Sequence, residues 1–377
     1  GAYAGFDPTA GSLHVGHLTP IMLLRLLARH GHQVNAVVGG ATAQVGDPSG
    51  RNSARPLARE LDVQANTVRL VNQLEGLLPA DTQLFDNAAW LGTTPVPRFL
   101  REIGAHVPVS RMLAQESARA RLDSGEGLSA LEFFYPLLQA ADFLELYRRI
   151  GVRVQIGGSD QWGNITAGID LIRRVEGTRT FGITQPLVTT AAGAKMGKTA
   201  DGAVWLDPAL TDDHAFYQFW RDCADADVGR FLRLFTELPL DEIARLEALE
   251  GAEINAAKKR LALEVTRLVR GPEAAERARQ AAEAVFEGTG DDAELPEMDL
   301  DAGRLAGDGI PLAELVHAAG LAPTRSAARR LIAQGGVRLD GIKLDDPLRA
   351  VTLGDFHDGR ARLSAGKRKH VRLRPDA

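Results

Sequence analysis

The chain of 377 residues contains a single cysteine, Cys223. One thiol excludes an internal disulfide framework and any zinc or iron–sulfur site built from cysteines. No run of 18 or more apolar residues occurs, and the richest stretch, Ile21–Leu27, is interrupted by Arg25. A helix needs about that length of apolar sequence to cross a bilayer, so no membrane span is expected. No repeat with a period of 20–50 residues is visible, which argues against a solenoid. No signal-peptide pattern opens the chain, so a cytoplasmic, reducing location is expected. The opening Gly1-Ala2-Tyr3 lacks Met and enters a β-like run at once, so further residues upstream are expected.

Hydrophobic residues make up 45% and charged residues 25%, the proportions of a soluble globular protein. At roughly 150 residues per domain, the length fits two to three domains. The net charge of −5 is unevenly spread. From Leu321 to Ala377 there are 13 Lys/Arg and 6 Asp/Glu, a net +7, so the preceding 320 residues carry −12. A basic end on an acidic body suggests a phosphate-bearing polymer as partner.

Residues 1 to about 190 alternate short apolar runs with amphipathic helical patterns. Tyr3–Phe6, Val34–Val38 and Val152–Ile156 read as strands, the last two ending in glycine pairs, and Leu13–His30 reads as a helix. Strand, glycine turn and helix in alternation define an α/β domain with a doubly wound parallel sheet. Ligands in such domains sit beyond the carboxyl ends of the strands. From 211 to 287 the pattern becomes helical, with Phe216, Phe219, Trp220, Phe231, Leu232 and Phe235 at core spacing. Residues 288–309 are rich in Gly, Asp and Glu and read as a linker. The basic module, 310–377, has helical patterns at Leu312–Ala319 and Ser326–Gln334, then β-like pieces at Val337–Leu339 and His370–Leu373.

Four constellations carry chemistry. His14-Val15-Gly16-His17 stands at the mouth of a helix, after Asp7-Pro8-Thr9. The two histidines share a face, in the first turn where free N–H groups and the dipole favour anions. Two imidazole donors there suit a polyphosphate, and Gly16 leaves room for a flat ring. Lys195-Met196-Gly197-Lys198-Thr199 lies among Ala, Gly and Thr. Its two lysines can bracket one anionic centre and stabilise charge developing in a transition state. Tyr135, Gln139 and Asp142 fall on one face of an otherwise apolar helix, which Asp47 could join. Such carboxylates need donors when buried, and an ammonium and a phenol would both serve. Finally, Gly157-Gly158-Ser159-Asp160-Gln161-Trp162-Gly163-Asn164 follows a strand, where glycines allow close approach and an acid can hold a ribose hydroxyl. Each also has a plainer reading: surface histidines, a solvated basic loop, a structural hydrogen-bond network and a tight turn.

Together these segments resemble the class I aminoacyl-tRNA synthetases. His14–His17 looks like their HIGH signature and Lys195–Thr199 like KMSKS, with Gly197 for the first Ser and Thr199 for the last. Tyr3–Thr9, Gly46–Gly50 and Gln155–Asn164 are similar to the bacterial-type tyrosyl branch. Ser326–Ile332 and Gly335–Val337 resemble an S4-type RNA-binding domain. The resemblance implies a Rossmann-like catalytic domain (1–210), an α-helical anticodon-side domain (211–287), the linker and an α+β S4-like domain (310–377). It implies that L-tyrosine is activated with ATP, accompanied by Mg²⁺ and without an organic cofactor, then joined to tRNA(Tyr) by a homodimer. By position, Tyr3 and Asp142 would receive the phenol, and Asp47, Tyr135 and Gln139 the ammonium. Asp7 and Gln161 would lie near the carboxylate and α-phosphate. Thr9, His14 and His17 would contact ATP, and Gly16, Gly158 and Asp160 would seat adenine and ribose. Lys195, Lys198 and Thr199 would close over pyrophosphate. No resident metal ligand is expected. In the tail, Arg325, Arg329, Arg330, Lys367, Arg368 and Lys369 are candidate RNA contacts. Two departures stand out: Pro20 soon after the histidines, and the absence of the segment that usually precedes Tyr3. A tryptophan-specific relative, another nucleotidyltransferase and a non-catalytic RNA-binding descendant are the rival readings.

Overall fold

A computed structural model describes residues 1–49, 59–123, 125, 128–191, 193, 195–199, 202–287, 296–357, 359–366 and 369–376. For 116–117, 198–199, 284–287 and 369 the description covers the backbone alone. They form two compact units, Gly1–Ala278 and Arg279–Ala377. No described helix is long and apolar enough to cross a membrane.

Unit 1 is built on five parallel strands: β1 (Ala2–Phe6), β2 (Val34–Val38), β3 (Gln83–Asp86), β4 (Val154–Gly158) and β5 (Phe181–Gln185). Their order is β3-β2-β1-β4-β5. All five residues of β2 are buried, as expected of a strand covered on both faces. β1 pairs with β2 on one side and β4 on the other, Ala2 facing both Val34 and Val154. The chain order reverses between β1 and β4, and the crevice beyond their carboxyl ends is where such sheets bind ligands.

Two helices bring side chains to that crevice, and a third packs behind it. Helix α1 (Leu18–Arg29) follows a 3-10 turn at Val15–His17. The helical pattern read from Leu13 therefore begins in this tighter turn. Helix α2 (Ala130–Ile150) starts at Ser129, whose hydroxyl accepts the Glu132 N–H while the Glu132 carboxylate reaches back. Such a reciprocal cap fixes where a helix starts. Gly151, at φ 69°, ends it in the left-handed conformation. Helix α3 (Trp162–Glu176) leaves the turn after β4.

The helices after 211 carry the expected aromatic core: Phe216, Trp220, Phe231 and Phe235 are buried, with Trp220 and Phe235 rings 5.0 Å apart. They belong to the same compact unit as the sheet, so no break between compact units falls near 210. Arg25 of α1 pairs with Glu237 at 2.8 Å.

Unit 2 holds a five-stranded sheet whose residues include Val337–Leu339 and Lys369–Pro375. Helices Leu312–Ala318 and Arg325–Ala333 accompany it. The stretch read as a linker is not all free chain. Glu297–Leu300 is a strand paired in parallel with Arg372–Pro375. Its four residues are too short and too acidic to show a pattern, and their partners lie some seventy residues on.

Candidate active site

Beyond the ends of β1 and β4 opens a cleft of about 370 Å³. Thirteen of the residues singled out in the sequence line it: Tyr3, Asp7, His14, Gly16, His17, Asp47, Tyr135, Gln139, Asp142, Gly158, Asp160, Gln161 and Lys195. Thr9 is exposed and does not line it. The side chains of Lys198 and Thr199 lie outside the described residues, as do Lys367, Arg368 and the Lys369 side chain.

Deep in the cleft, Tyr3 of β1 is 1% exposed. Its hydroxyl has no hydrogen-bond partner among the described residues. Burial and the nearby Asp142 raise its pKa well above that of an ordinary phenol, so it stays protonated and can donate. Asp142 of α2 is 4% exposed. Its oxygens accept from Asn87 Nδ2 at 2.9 Å and Trp90 Nε1 at 2.7 Å. Burial, outweighing these donors, lifts its pKa to about 7. Asn87 donates also to Thr42, and Thr42 and Tyr135 both donate to Asp7, at 2.8 and 2.9 Å. One chain of polar contacts thus runs from Tyr135 to Trp90.

A second cluster lies nearby. Asp47 accepts from the Ser49 N–H at 2.8 Å and from Gln161 Nε2 at 2.7 Å. Asn164 donates to Gln139 Oε1 at 3.0 Å. Tyr135 spends its proton on Asp7, so its oxygen faces incoming groups as an acceptor. Tyr135, Asp47 and Gln139 then form an acceptor set that matches the three donors of an ammonium.

The histidine turn is self-organised. His14 N–H donates to His17 Nδ1, and Gly16 N–H to His14 Nδ1, both at 3.0 Å. The ring centroids are 4.0 Å apart. With both Nδ1 atoms accepting, the ring protons belong on Nε2. Burial first, and His14 second, pull the His17 pKa down to about 3. His17 is therefore a neutral donor. Gly16 has a second reason to lack a side chain: a Cβ there would meet the His14 ring at 2.8 Å.

The lysine segment is tied to this turn. Val15 N–H donates to Val204 O, Val204 N–H to Gly197 O, and Leu206 N–H to Leu13 O. Gly197 sits at φ 81°, and a Cβ there would meet Val15 at 2.5 Å. Only glycine combines that backbone with that approach. Met196 is buried beneath, while Lys195 remains exposed at the cleft.

The sequence reading missed Thr42, Asn87 and Trp90, and it gave no role to Gln155 and Asn164, the two ends of a motif it did mark. Gln155 is 2% exposed, lines the cleft and has an Oε1 without a partner among the described residues. Thr42, Asn87 and Trp90 are lone residues in their own segments, so no local spacing marks them. Nor are the carboxylates orphaned: Asn87, Trp90, Gln161 and the Ser49 N–H already serve them.

Comparison with known proteins accords with this geometry. The family model for tRNA synthetases class I (W and Y) matches residues 1–287, and that for the S4 domain matches 310–357. The chain belongs to this family of class I tRNA synthetases. Within it, the chain is 51% identical to a tyrosine–tRNA ligase of Rhodospirillum rubrum, over 99% of this chain and 90% of that protein. A tyrosine–tRNA ligase of Gluconobacter oxydans is 48% identical, over 99% and 91%. Among solved structures, a C-terminally truncated mitochondrial tyrosyl-tRNA synthetase of Aspergillus nidulans is 32% identical with a TM-score of 0.69, covering 76% of this chain and 85% of that one. A tryptophanyl-tRNA synthetase of Encephalitozoon cuniculi shares the fold, with a TM-score of 0.53 at 14% identity. The fold alone therefore does not choose between the two amino acids.

Proposed function

We infer that the chain is a tyrosine–tRNA ligase: it activates L-tyrosine with ATP and transfers it to the 3′ end of tRNA(Tyr). The observation that carries the choice of amino acid is the buried, unpartnered hydroxyl of Tyr3 beside Asp142. A phenol entering there accepts from Tyr3 and donates to Asp142. An indole has one N–H and no acceptor, and would leave the Tyr3 hydroxyl unpaired. Phenylalanine would leave the Tyr3 hydroxyl unpaired and bring Asp142 no donor beyond Asn87 and Trp90, which is why a polar site of this kind rejects the analogue so strongly. Tyrosyl enzymes as a class reject phenylalanine by a factor of about 10⁵, a value known for the class and not one worked from this cleft.

In the first step the tyrosine carboxylate attacks the α-phosphorus of ATP and pyrophosphate leaves. Asp47, Tyr135 and Gln139 hold the ammonium, and Asp7 and Gln161 flank the carboxylate and α-phosphate. His14 and His17 donate Nε2–H to the phosphates, with Thr9 near the γ-phosphate. Gly16, Gly158 and Asp160 seat adenine and ribose. Lys195, Lys198 and Thr199 neutralise the departing pyrophosphate. Mg²⁺ arrives as part of the substrate, on the ATP phosphates. No side chain acts as nucleophile. Catalysis is positioning plus electrostatic stabilisation of charge on phosphorus and pyrophosphate.

In the second step a terminal ribose hydroxyl of tRNA attacks the adenylate. We assign the grip on tRNA to the basic end of the chain, Leu321–Ala377, where Arg325, Arg329 and Arg330 are exposed on one helix. The active form is taken to be a homodimer, to be checked by light scattering of the purified protein. The proposal as a whole is tested by charging tRNA(Tyr) with labelled tyrosine or tryptophan. Charging with tyrosine alone supports it, and charging with tryptophan overturns the assignment.

A further inference from the structure

The segment carrying Lys195 is gripped at both ends by side chains of the helical part of unit 1, outside the cleft. On the entering side stands Asp227, in the first turn of the helix Asp225–Phe235. Its side chain is 3% exposed. Its Oδ2 accepts the Ala191 N–H at 2.7 Å, and its Oδ1 accepts from Arg230 at 2.7 Å. Arg230 donates in turn to the Thr189 carbonyl. On the leaving side stands Arg270, the last residue of the helix Ile254–Arg270, also 3% exposed. It donates to the carbonyls of Trp205 at 3.1 Å, Thr211 at 2.8 Å, and Leu206. The Phe216 ring lies 4.8 Å from the guanidinium, and Asp213 3.6 Å from its Nε.

Between these two grips lie Lys195, Gly197 and the backbone of Val204–Leu206 that holds the histidine turn. Hiding a carboxylate or a guanidinium is costly unless hydrogen bonds offset it. Here both are directed at main-chain groups of a single loop, which water could otherwise satisfy. What a buried charge adds over water is a fixed position. The helices thereby set the coordinates of the loop ends, and through them the distance from Lys195 to the His14 turn.

We propose that Asp227 and Arg270 are positioning residues for the ATP-activation step, holding the two ends of the Lys195 segment in register with the histidine turn. The proposal rests on the adenylation reading above. Neither residue lines the cleft, and the phenol and ammonium groups of the site sit on β1, α2 and the Asp47 turn. Loss of a grip therefore displaces Lys195 and leaves the tyrosine contacts in place.

The test uses the full chain with Asp227→Ala, Asp227→Asn, Arg270→Met and Arg270→Lys. Tyrosine-dependent ATP–pyrophosphate exchange is measured at saturating ATP, with hydrogen exchange of the peptide spanning 188–206. A displacement of about 1 Å at a reacting centre can cost on the order of a hundredfold. The expected result is a fall in kcat of tenfold to a hundredfold, on that scale, with tyrosine KM within about twofold of the parent. Asp227→Asn keeps an acceptor for Ala191 and recovers part of the loss. The 188–206 peptide exchanges faster than in the parent while β1 does not. Unchanged kcat and unchanged loop exchange in folded Asp227→Ala and Arg270→Met overturn the proposal. So does a rise in tyrosine KM parallel to the fall in kcat, which marks general loosening. If a truncating variant does not fold, Asp227→Asn and Arg270→Lys carry the same comparison. Should the parent itself fail to exchange, the adenylation reading fails, and the loop exchange still decides whether the grips hold the segment.

Discussion

Replacing Tyr3 by phenylalanine separates what the site does for folding from what it does for binding. The Tyr3 hydroxyl is buried and has no partner among the described residues. A buried hydroxyl without a partner costs about 1–3 kcal/mol. The ring packs on Phe143, centroids 5.4 Å apart, and that contact survives the change. Tyr3→Phe should thus stabilise the empty protein by up to that amount. For a unit of this size each kcal/mol is worth roughly 2 °C in Tm. With tyrosine bound, the parent regains a neutral hydrogen bond worth about 0.5–1.5 kcal/mol, which the variant cannot make. Tyrosine KM should rise about two- to twelvefold on that figure, with phenylalanine KM unchanged or lower. Thermal melts with and without tyrosine, and exchange kinetics with both amino acids, read the two effects. A variant that melts well below the parent, or that keeps the parent's preference for tyrosine, would refute the reasoning.

Other consequences concern charge. Asp142 has a pKa of about 7 in the folded chain against 3.8 ordinarily. The folded state therefore holds a proton that the unfolded chain sheds, and this contribution to stability is lost as pH rises through 7. The ionised form is the acceptor for the phenol, so tyrosine KM should fall between pH 6 and 8; Asp142→Asn should flatten that profile, and an unflattened profile would exclude Asp142 as its origin. Lys195→Ala should lower the exchange rate on the order of a hundredfold, the scale of losing one preorganised charge-stabilising donor, with tyrosine KM unmoved; equal single-turnover rates would remove Lys195 from the step. The double change Arg329→Ala and Arg330→Ala should raise tRNA KM and flatten its salt dependence by about one log unit per lost phosphate contact, leaving exchange without tRNA intact. Loss of exchange would contradict that division of labour.

What was legible in the sequence was whatever is local. The β1 run, the histidine pair with its glycine, and Tyr135, Gln139 and Asp142 at helical spacing each declare themselves within a dozen residues. The four-motif resemblance then set them in one site. The partners that hold them were not legible. Asn87 and Trp90 reach Asp142 across 55 and 52 residues. A single Asn or Trp in an unrelated segment has no spacing to betray it. The union of the two signature segments through Val204–Leu206 is likewise a tertiary fact, written in backbone hydrogen bonds that any residue can make. The Glu297–Leu300 strand was hidden for a related reason: its partner at Arg372–Pro375 supplies the pattern that its own four residues lack.

The central claim is that this cleft adenylates tyrosine, with Tyr3 and Asp142 choosing the phenol. Its most direct test is ATP–pyrophosphate exchange by the purified chain, without tRNA, in the presence of tyrosine, phenylalanine or tryptophan. The account predicts rapid exchange with tyrosine and only background with the other two. Exchange driven equally by tryptophan or phenylalanine, or by none of the three, would contradict it.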